Sequence, residues 1–177
     1  MRNRFNFWRR AKKEDGNATV EFVFVVPVFL LLFVSIFELG LATVRLTVLE
    51  HALDETMRDI RLSTGDDIKH TAIRDRICEH ARPLKNCNSS LQVEMVLIDR
   101  DTFKLPKVRA TCINKGTNAS PSNQLITNGA ANDLMFIRVC YTIDPLFESF
   151  GLSAQLKKDS NGDMQLVASS IFAQEPS

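Results

Sequence analysis

Two patterns of apolar residues follow one another along the first third of the chain. No charged residue occurs from Phe22 to Phe37, and apolar residues resume after Glu38 and continue to Val44. If residues 20–44 form a helix, it is roughly 37 Å long, which is enough to cross the ~30 Å hydrocarbon core of a bilayer with some tilt. The first pattern therefore predicts a membrane-spanning helix.

The second pattern begins beyond Val44 and is periodic rather than continuous. Apolar residues recur there at spacings of three and four, as they do on one face of an amphipathic helix. These residues are Leu46, Leu49, Leu53, Met57 and Ile60. We therefore predict one continuous helix over residues 17–62, half in lipid and half against a soluble domain, with Gly65 as its C-cap.

The chain beyond this helix predicts a second helix and a small sheet. Asp66 or Asp67 can cap a helix that ends before Pro83. Strand patterns follow at residues 91–98, 107–113, 134–143 and 164–172. The odd-numbered residues from 135 to 143 are apolar and are expected to face the helix. The predicted fold class is α+β, with an antiparallel sheet of three to four strands. The polar stretch 114–133 is predicted to be a loop, used for subunit contact or simply solvated.

Charge is distributed unevenly about the apolar run. Residues 1–16 contain six basic and two acidic residues. A basic cluster beside the first membrane helix stays on the cytoplasmic side, so the chain after residue 44 is expected on the opposite side. The whole chain has 22 basic and 21 acidic residues, which leaves 16 basic and 19 acidic residues beyond residue 16. This slightly acidic remainder argues against nucleic-acid binding.

Glu21 is an acidic residue inside the apolar run, and Gly16 precedes it by five positions. A lone carboxylate there costs on the order of 2–3 kcal/mol and normally has a partner. This arrangement resembles the processing site of type IV pilins and pseudopilins. In that site, a basic leader and a Gly are followed by a Glu five residues after the Gly and by an apolar helix. The resemblance implies that a prepilin peptidase cuts after Gly16 on the cytoplasmic face. The new α-amine of Asn17 would then be the counter-charge of Glu21.

A narrower resemblance rests on three parts of the same region. These parts resemble the TadE-type minor pseudopilins of the tight-adherence (Tad/Flp) pilus system. They are, in order, Gly16-Asn-Ala-Thr-Val-Glu-Phe22, Pro27 and Phe37-Glu38-Leu39-Gly40. The resemblance implies a structural or assembly component of a type IVb-like pilus that supports pilus biogenesis, adherence and biofilm formation. The implied partners are prepilin peptidase, other pseudopilins, the major pilin and the Tad assembly machinery of the inner membrane.

This interpretation divides the chain into three parts. Residues 1–16 are a basic cytoplasmic leader, residues 17–44 are the transmembrane helix, and residues 45–177 are an extracytoplasmic α+β domain. The domain is expected in the periplasm, or outside the cell if the protein enters the pilus. Pro27 removes one backbone hydrogen bond within the helix, so a kink is expected there. That kink is either a hinge for extraction from the bilayer or an ordinary proline kink.

The four cysteines predict two disulfides in an exported domain. Three connectivities are possible. We favour Cys78–Cys87, which closes a short loop around Pro83, and Cys112–Cys140, which links two predicted strands. A zinc site is the alternative, but the sequence lacks Cys-x-x-Cys spacing.

No catalytic motif or cofactor-binding motif is recognised, so neither an enzyme activity nor a cofactor is predicted. Two alternatives to the pilus component remain. One is a single-pass membrane anchor that holds a periplasmic binding domain. The other is a secreted binding protein, cut by signal peptidase at Gly40-Leu41-Ala42. The N-terminal residue of the mature chain separates them: Asn17 for the pseudopilin, Met1 for the anchor and Thr43 for the secreted protein.

Overall fold

The predicted α+β class is confirmed by the computed structural model of the chain. The structure describes residues 17–62, 69–105, 110–115, 126–147, 158–159 and 161–175. Its elements are α1 (Asn17–Leu62), α2 (His70–His80), α3 (Cys87–Ser90), β1 (Leu91–Leu97), β2 (Leu134–Ile143) and β3 (Met164–Ala173).

Helix α1 is continuous over 46 residues and passes through Pro27. Its periodic apolar residues from Leu49 to Ile60 are buried in the core, as the spacing predicted, whereas Leu46 is only partly buried. The predicted C-cap at Gly65 lies outside the described residues. A single helix therefore carries both of the apolar patterns seen in the sequence.

Helix α2 begins at His70, with Lys69 at the N-cap and no side-chain capping bond. The predicted caps, Asp66 and Asp67, lie outside the described residues. Ile73 and Ile77 are its buried apolar residues, and they pack into the same core as α1. The chain then turns through the Pro83 region into α3 and β1.

The sheet has the strand order β1-β2-β3, and both pairings are antiparallel. Val93, Val139 and Ala168 stand opposite one another in the register. The odd-numbered residues of β2 are in the core shared with the helices, as predicted, and α1 lies against β3 while α2 lies against β1. The two helices therefore cover one face of a three-stranded sheet.

The strand predicted at 107–113 is wrong for the part that the structure describes, because residues 110–113 form no strand. Of the two outer edges of the sheet, the one beside β1 is already occupied. The Val93 N–H donates to His70 Nε2 at 3.1 Å, and the Met95 carbonyl accepts from Thr127 N–H at 2.8 Å. The segment instead lies across the other face of β2, where the Thr142 hydroxyl donates to the carbonyl of Ile113 at 2.8 Å.

Candidate functional site

The first turns of α1 hold a carboxylate that is without a partner in the described part of the chain. Asn17 and Glu21 are four residues apart, so they lie one helical turn from each other. The Glu21 side chain is exposed and forms no hydrogen bond or ion pair with a described residue. Gly16 and the leader lie outside the described residues. Any counter-charge for Glu21 therefore lies outside the described residues.

The N-terminal half of α1 presents an apolar surface that the rest of the domain does not cover. Its most apolar 18-residue window has a mean hydropathy of 2.7, and none of that window is buried. Phe24, for example, is 73% exposed. Such a helix is long and apolar enough to cross a bilayer, and it lies near the N-terminus. This surface fits single-pass membrane anchoring.

Two hydroxyl groups in this half of α1 are satisfied within the helix itself. Ser35 Oγ donates to the Leu31 carbonyl at 2.7 Å, and Thr43 Oγ1 donates to the Leu39 carbonyl at 2.9 Å. Pro27 withholds the donor that the carbonyl four residues earlier would use, yet α1 continues on both sides of it. The two carboxylates, Glu21 and Glu38, are therefore the costly polar groups of this segment.

Glu38 is buried against the domain and is only 5% exposed. Its Oε1 accepts a long hydrogen bond, 3.4 Å, from the backbone N–H of Phe147. Its Oε2 is buried and has no partner among the described residues. A segment far away in the sequence therefore covers Glu38.

The covering segment, residues 144–147, runs along α1 toward its N-terminal, apolar half. Asp144 shares a pocket with Arg45, while Phe147 lies at Glu38. Arg45 is seven residues beyond Glu38, a rise of about 10 Å along the helix. Leu146 and Phe147 remain 51% and 40% exposed. The domain therefore reaches back along the apolar part of α1 instead of being separated from it by a linker.

The pocket at Arg45 has a volume of about 150 Å³. Three cationic residues, Arg45, Lys85 and Lys115, line it together with a single carboxylate, that of Asp144. Lys115 Nζ lies 2.8 Å from Asp144 Oδ1, and this hydrogen bond lowers the pKa of the Asp144 carboxyl. The Tyr141 hydroxyl donates to the Lys85 carbonyl at 2.6 Å, which fixes the Lys85 backbone at the rim.

A second carboxyl, that of Asp163, lies beside this pocket and interacts with Asp144. Burial, followed by its hydrogen bond with Asp144, raises the pKa of Asp163 to about 6. The two carboxyls are thus shifted in opposite directions. The pair can take up one proton near pH 6 without losing the contact between Asp144 and Lys115.

Both disulfides are present in the structure. Cys78–Cys87 joins the end of α2 to α3, with a Cα–Cα distance of 5.6 Å. Cys112–Cys140 fastens the 110–115 segment to the face of β2 that is turned away from the helices, with a Cα–Cα distance of 5.3 Å. All four cysteines are bonded in this way, so none of them is a free thiol that could bind zinc.

Sequence reasoning missed the Glu38 contact and the cationic pocket. The pocket draws Arg45 from α1, Lys85 from the turn after α2 and Lys115 from the segment after β1. No local pattern brings these three residues together. One signal was available: Arg45 is the first basic residue after the apolar run.

The comparisons with known proteins single out the N-terminal region. Residues 16–58 match the family model described as TadE-like protein. No curated protein and no solved structure matches the chain. The matched range starts at Gly16 and includes most of α1, but it does not reach the sheet. The resemblance to TadE-like proteins is confirmed for this range.

Proposed function

From the TadE-like character of residues 16–58, we propose that this protein is a minor pseudopilin of a tight-adherence, type IVb-like pilus. The family match supports a component associated with the Tad pilus system. The finer assignment is to a structural or assembly role rather than an enzyme. In that role the chain supports pilus biogenesis, adherence and biofilm formation.

Glu21 is the observation that carries this proposal. It is an exposed carboxylate on an uncovered apolar helix, and no described residue pairs with it. Cleavage after Gly16 by a prepilin peptidase would create an ammonium group at Asn17, one turn away on the same chain. The same ammonium could instead pair with Glu21 of a neighbouring pseudopilin. Either pairing would remove a penalty of about 2–3 kcal/mol and would favour one axial register between packed helices.

The uncovered apolar half of α1 supplies the surface for such packing. In the membrane it contacts lipid, and in a fibre it would contact the helices of other pseudopilins and of the major pilin. Pro27 lies in this half and would serve as a hinge during extraction from the bilayer. The basic leader places residues 1–16 in the cytoplasm and the α+β domain in the periplasm, with the Tad inner-membrane machinery acting on the span.

The secreted alternative conflicts with the contact at Glu38. Cleavage after Ala42 would remove Glu38 and the helix that covers the 144–147 segment. The static anchor would keep this contact, but it leaves Glu21 without a counter-charge. The two alternatives therefore predict different N-terminal residues. They also predict different free-energy costs for the carboxylates of Glu21 and Glu38.

The test is to read the N-terminal residue of the full chain produced with and without a prepilin peptidase of the Tad system. We expect Asn17 with the peptidase and Met1 without it. Gly16→Leu should retain the leader in both cases. Gly40→Leu is the matched control, because a Cβ at Gly40 meets no atom within 4 Å. It should be processed normally, whereas a secretory cut at Ala42 would be blocked by it.

Met1 in the presence of the peptidase would support the static anchor. A mature chain that begins at Thr43, and that is no longer produced from the Gly40→Leu variant, would support the secreted protein. Either result would contradict the proposed processing.

A further inference from the structure

The cationic pocket at Arg45 is placed at the depth of lipid headgroups. From Phe22, the start of the uncharged run, to Arg45 the helix rises about 34 Å. A hydrocarbon core of ~30 Å starting at Phe22 would end about 4 Å short of Arg45. The headgroup layer on each side is roughly 5–7 Å thick. Arg45 therefore lies within the headgroup layer of the leaflet on the domain side.

The pocket brings three cationic residues, Arg45, Lys85 and Lys115, near two carboxyls, those of Asp144 and Asp163. Lys115 is paired with Asp144. The charge of Arg45 also contributes to lowering the pKa of Asp144, but neither Arg45 nor Lys85 forms an ion pair within 4 Å or a side-chain hydrogen bond with a residue that the structure describes. Arg45 and Lys85 both line this space of about 150 Å³. A guanidinium and an ammonium are suited to binding a phosphate group.

An apolar surface continues from this pocket toward the bilayer centre. Leu146 and Phe147 follow Asp144 and descend along α1 to the level of Glu38, and both side chains are exposed. A free phosphate would use only the upper, cationic part of this site. A phospholipid would use both parts, because its acyl chains lie directly below its phosphate.

We propose that this pocket binds the headgroup phosphate of an anionic phospholipid in the leaflet on the domain side. Arg45 and Lys85 hold the phosphate, and Leu146 and Phe147 contact the acyl chains beneath it. The site requires that α1 spans a bilayer, but it does not require cleavage after Gly16. A bound lipid would seat the domain at a fixed height on the membrane.

The test uses the full chain in detergent, with native mass spectrometry of the lipids that it retains. The probes are phosphatidylglycerol and phosphatidylcholine at equal concentration. We expect the chain to retain phosphatidylglycerol in preference to phosphatidylcholine. Arg45→Gln and Lys85→Gln should each reduce phosphatidylglycerol retention about fivefold, the effect of one cation near an anionic lipid surface. Arg45→Lys keeps the charge and should recover most of the binding.

Matched controls come from cations outside the pocket. Arg58 lies farther along α1 and Lys104 lies in the loop after β1, and both are exposed. Arg58→Gln and Lys104→Gln should leave retention unchanged. Equal losses in the control and pocket variants would overturn the proposal, and so would equal retention of the two lipids.

Competition with inorganic phosphate distinguishes a lipid phosphate from a free phosphate as the ligand of the pocket. If the ligand is a lipid, millimolar phosphate should displace little phosphatidylglycerol, and Leu146→Asn should weaken retention of the lipid. Complete displacement by phosphate, with no effect of Leu146→Asn, would assign the pocket to a soluble anion and overturn the lipid proposal.

Discussion

The two halves of α1 belong to one unbroken helix, yet their apolar side chains have opposite surroundings. Phe24 in the first half is 73% exposed, whereas Leu53 in the second half is 1% exposed. The first half is apolar on all sides and therefore needs lipid or other helices. The second half is apolar on one stripe, which the sheet covers. The period of the apolar pattern, and not helix formation itself, decides which environment each half requires.

The junction shows that the halves are coupled. Glu38 belongs to the apolar half, but it is buried by Phe147 of the domain. A carboxylate on a helix segment that lies in a bilayer is costly unless protein covers it. The domain therefore both packs on the second half and shields the one acid near the end of the first half. If this junction is where the halves meet, substitutions away from it should disturb one half without the other.

Neutralising Glu21 should have the largest effect, and only on the first half. We expect Glu21→Gln to abolish piliation, because the new ammonium at Asn17 would lose its partner. The free energy of unfolding of the domain should change by less than about 0.5 kcal/mol. Pilus counts by electron microscopy and chemical denaturation measure the two effects. Glu50→Gln, an exposed acid in the second half, is the control and should leave piliation normal.

Removing the Cys112–Cys140 disulfide should affect only the domain. Its cysteines are 28 residues apart in sequence, and loop-closure entropy for that separation gives about 3.6 kcal/mol. Replacing both cysteines by serine should lower the unfolding free energy by about that amount. The same replacement at Cys78 and Cys87, nine residues apart, should cost less, about 2.6 kcal/mol. Equal processing of both variants would show that the first half is undisturbed.

Truncating one leucine in each half compares their environments directly. Leu53→Ala leaves a cavity in the core and should destabilise the domain by about 3 kcal/mol. Leu30→Ala removes a side chain that is 50% exposed and should change domain stability by less than about 0.5 kcal/mol. Urea denaturation of the two variants in the same detergent measures this difference. Similar losses would contradict the division of α1 into a covered and an uncovered half.

The smallest expected effect is the pH dependence that Asp163 gives to the domain. Its pKa is raised to about 6, so the fold favours the protonated carboxyl. Its stabilising contribution is present below about pH 4 and is lost as the pH rises through about 6. Asp163→Asn should remove this dependence, which we expect to be on the order of 1 kcal/mol. Denaturation of both proteins at pH 4 and pH 7 tests this.

The comparison with the variant also isolates Asp163 from His70. Burial lowers the pKa of His70, so stability from that residue is lost as the pH falls below 6.5. The two residues act in opposite directions over the same pH range. Because both proteins contain His70, its contribution cancels in the difference. An unchanged difference between pH 4 and pH 7 would contradict the role assigned to Asp163.

Local patterns predicted what depends on local geometry. The continuous apolar run up to residue 44 and the periodic pattern beyond it predicted the length of α1. The alternation of apolar and polar residues predicted the buried face of β2. The segment at Cys112 was misassigned, because strand propensity does not reveal that the β1 edge is already occupied by His70 and Thr127. The burial of Glu38 was missed because its partner, Phe147, is 109 residues away. The pocket was missed because its cations come from three separate segments.

The central claim is that processing places an ammonium group beside Glu21. The most direct measurement is carbodiimide crosslinking of assembled pili, followed by peptide mass spectrometry. We predict an amide between the α-amine of Asn17 and the Glu21 carboxylate, within one chain or between neighbours. The amide should be absent from pili whose N-termini were acetylated before coupling. A chain that still begins at Met1, or an Asn17 amine that never couples to Glu21, would contradict the account.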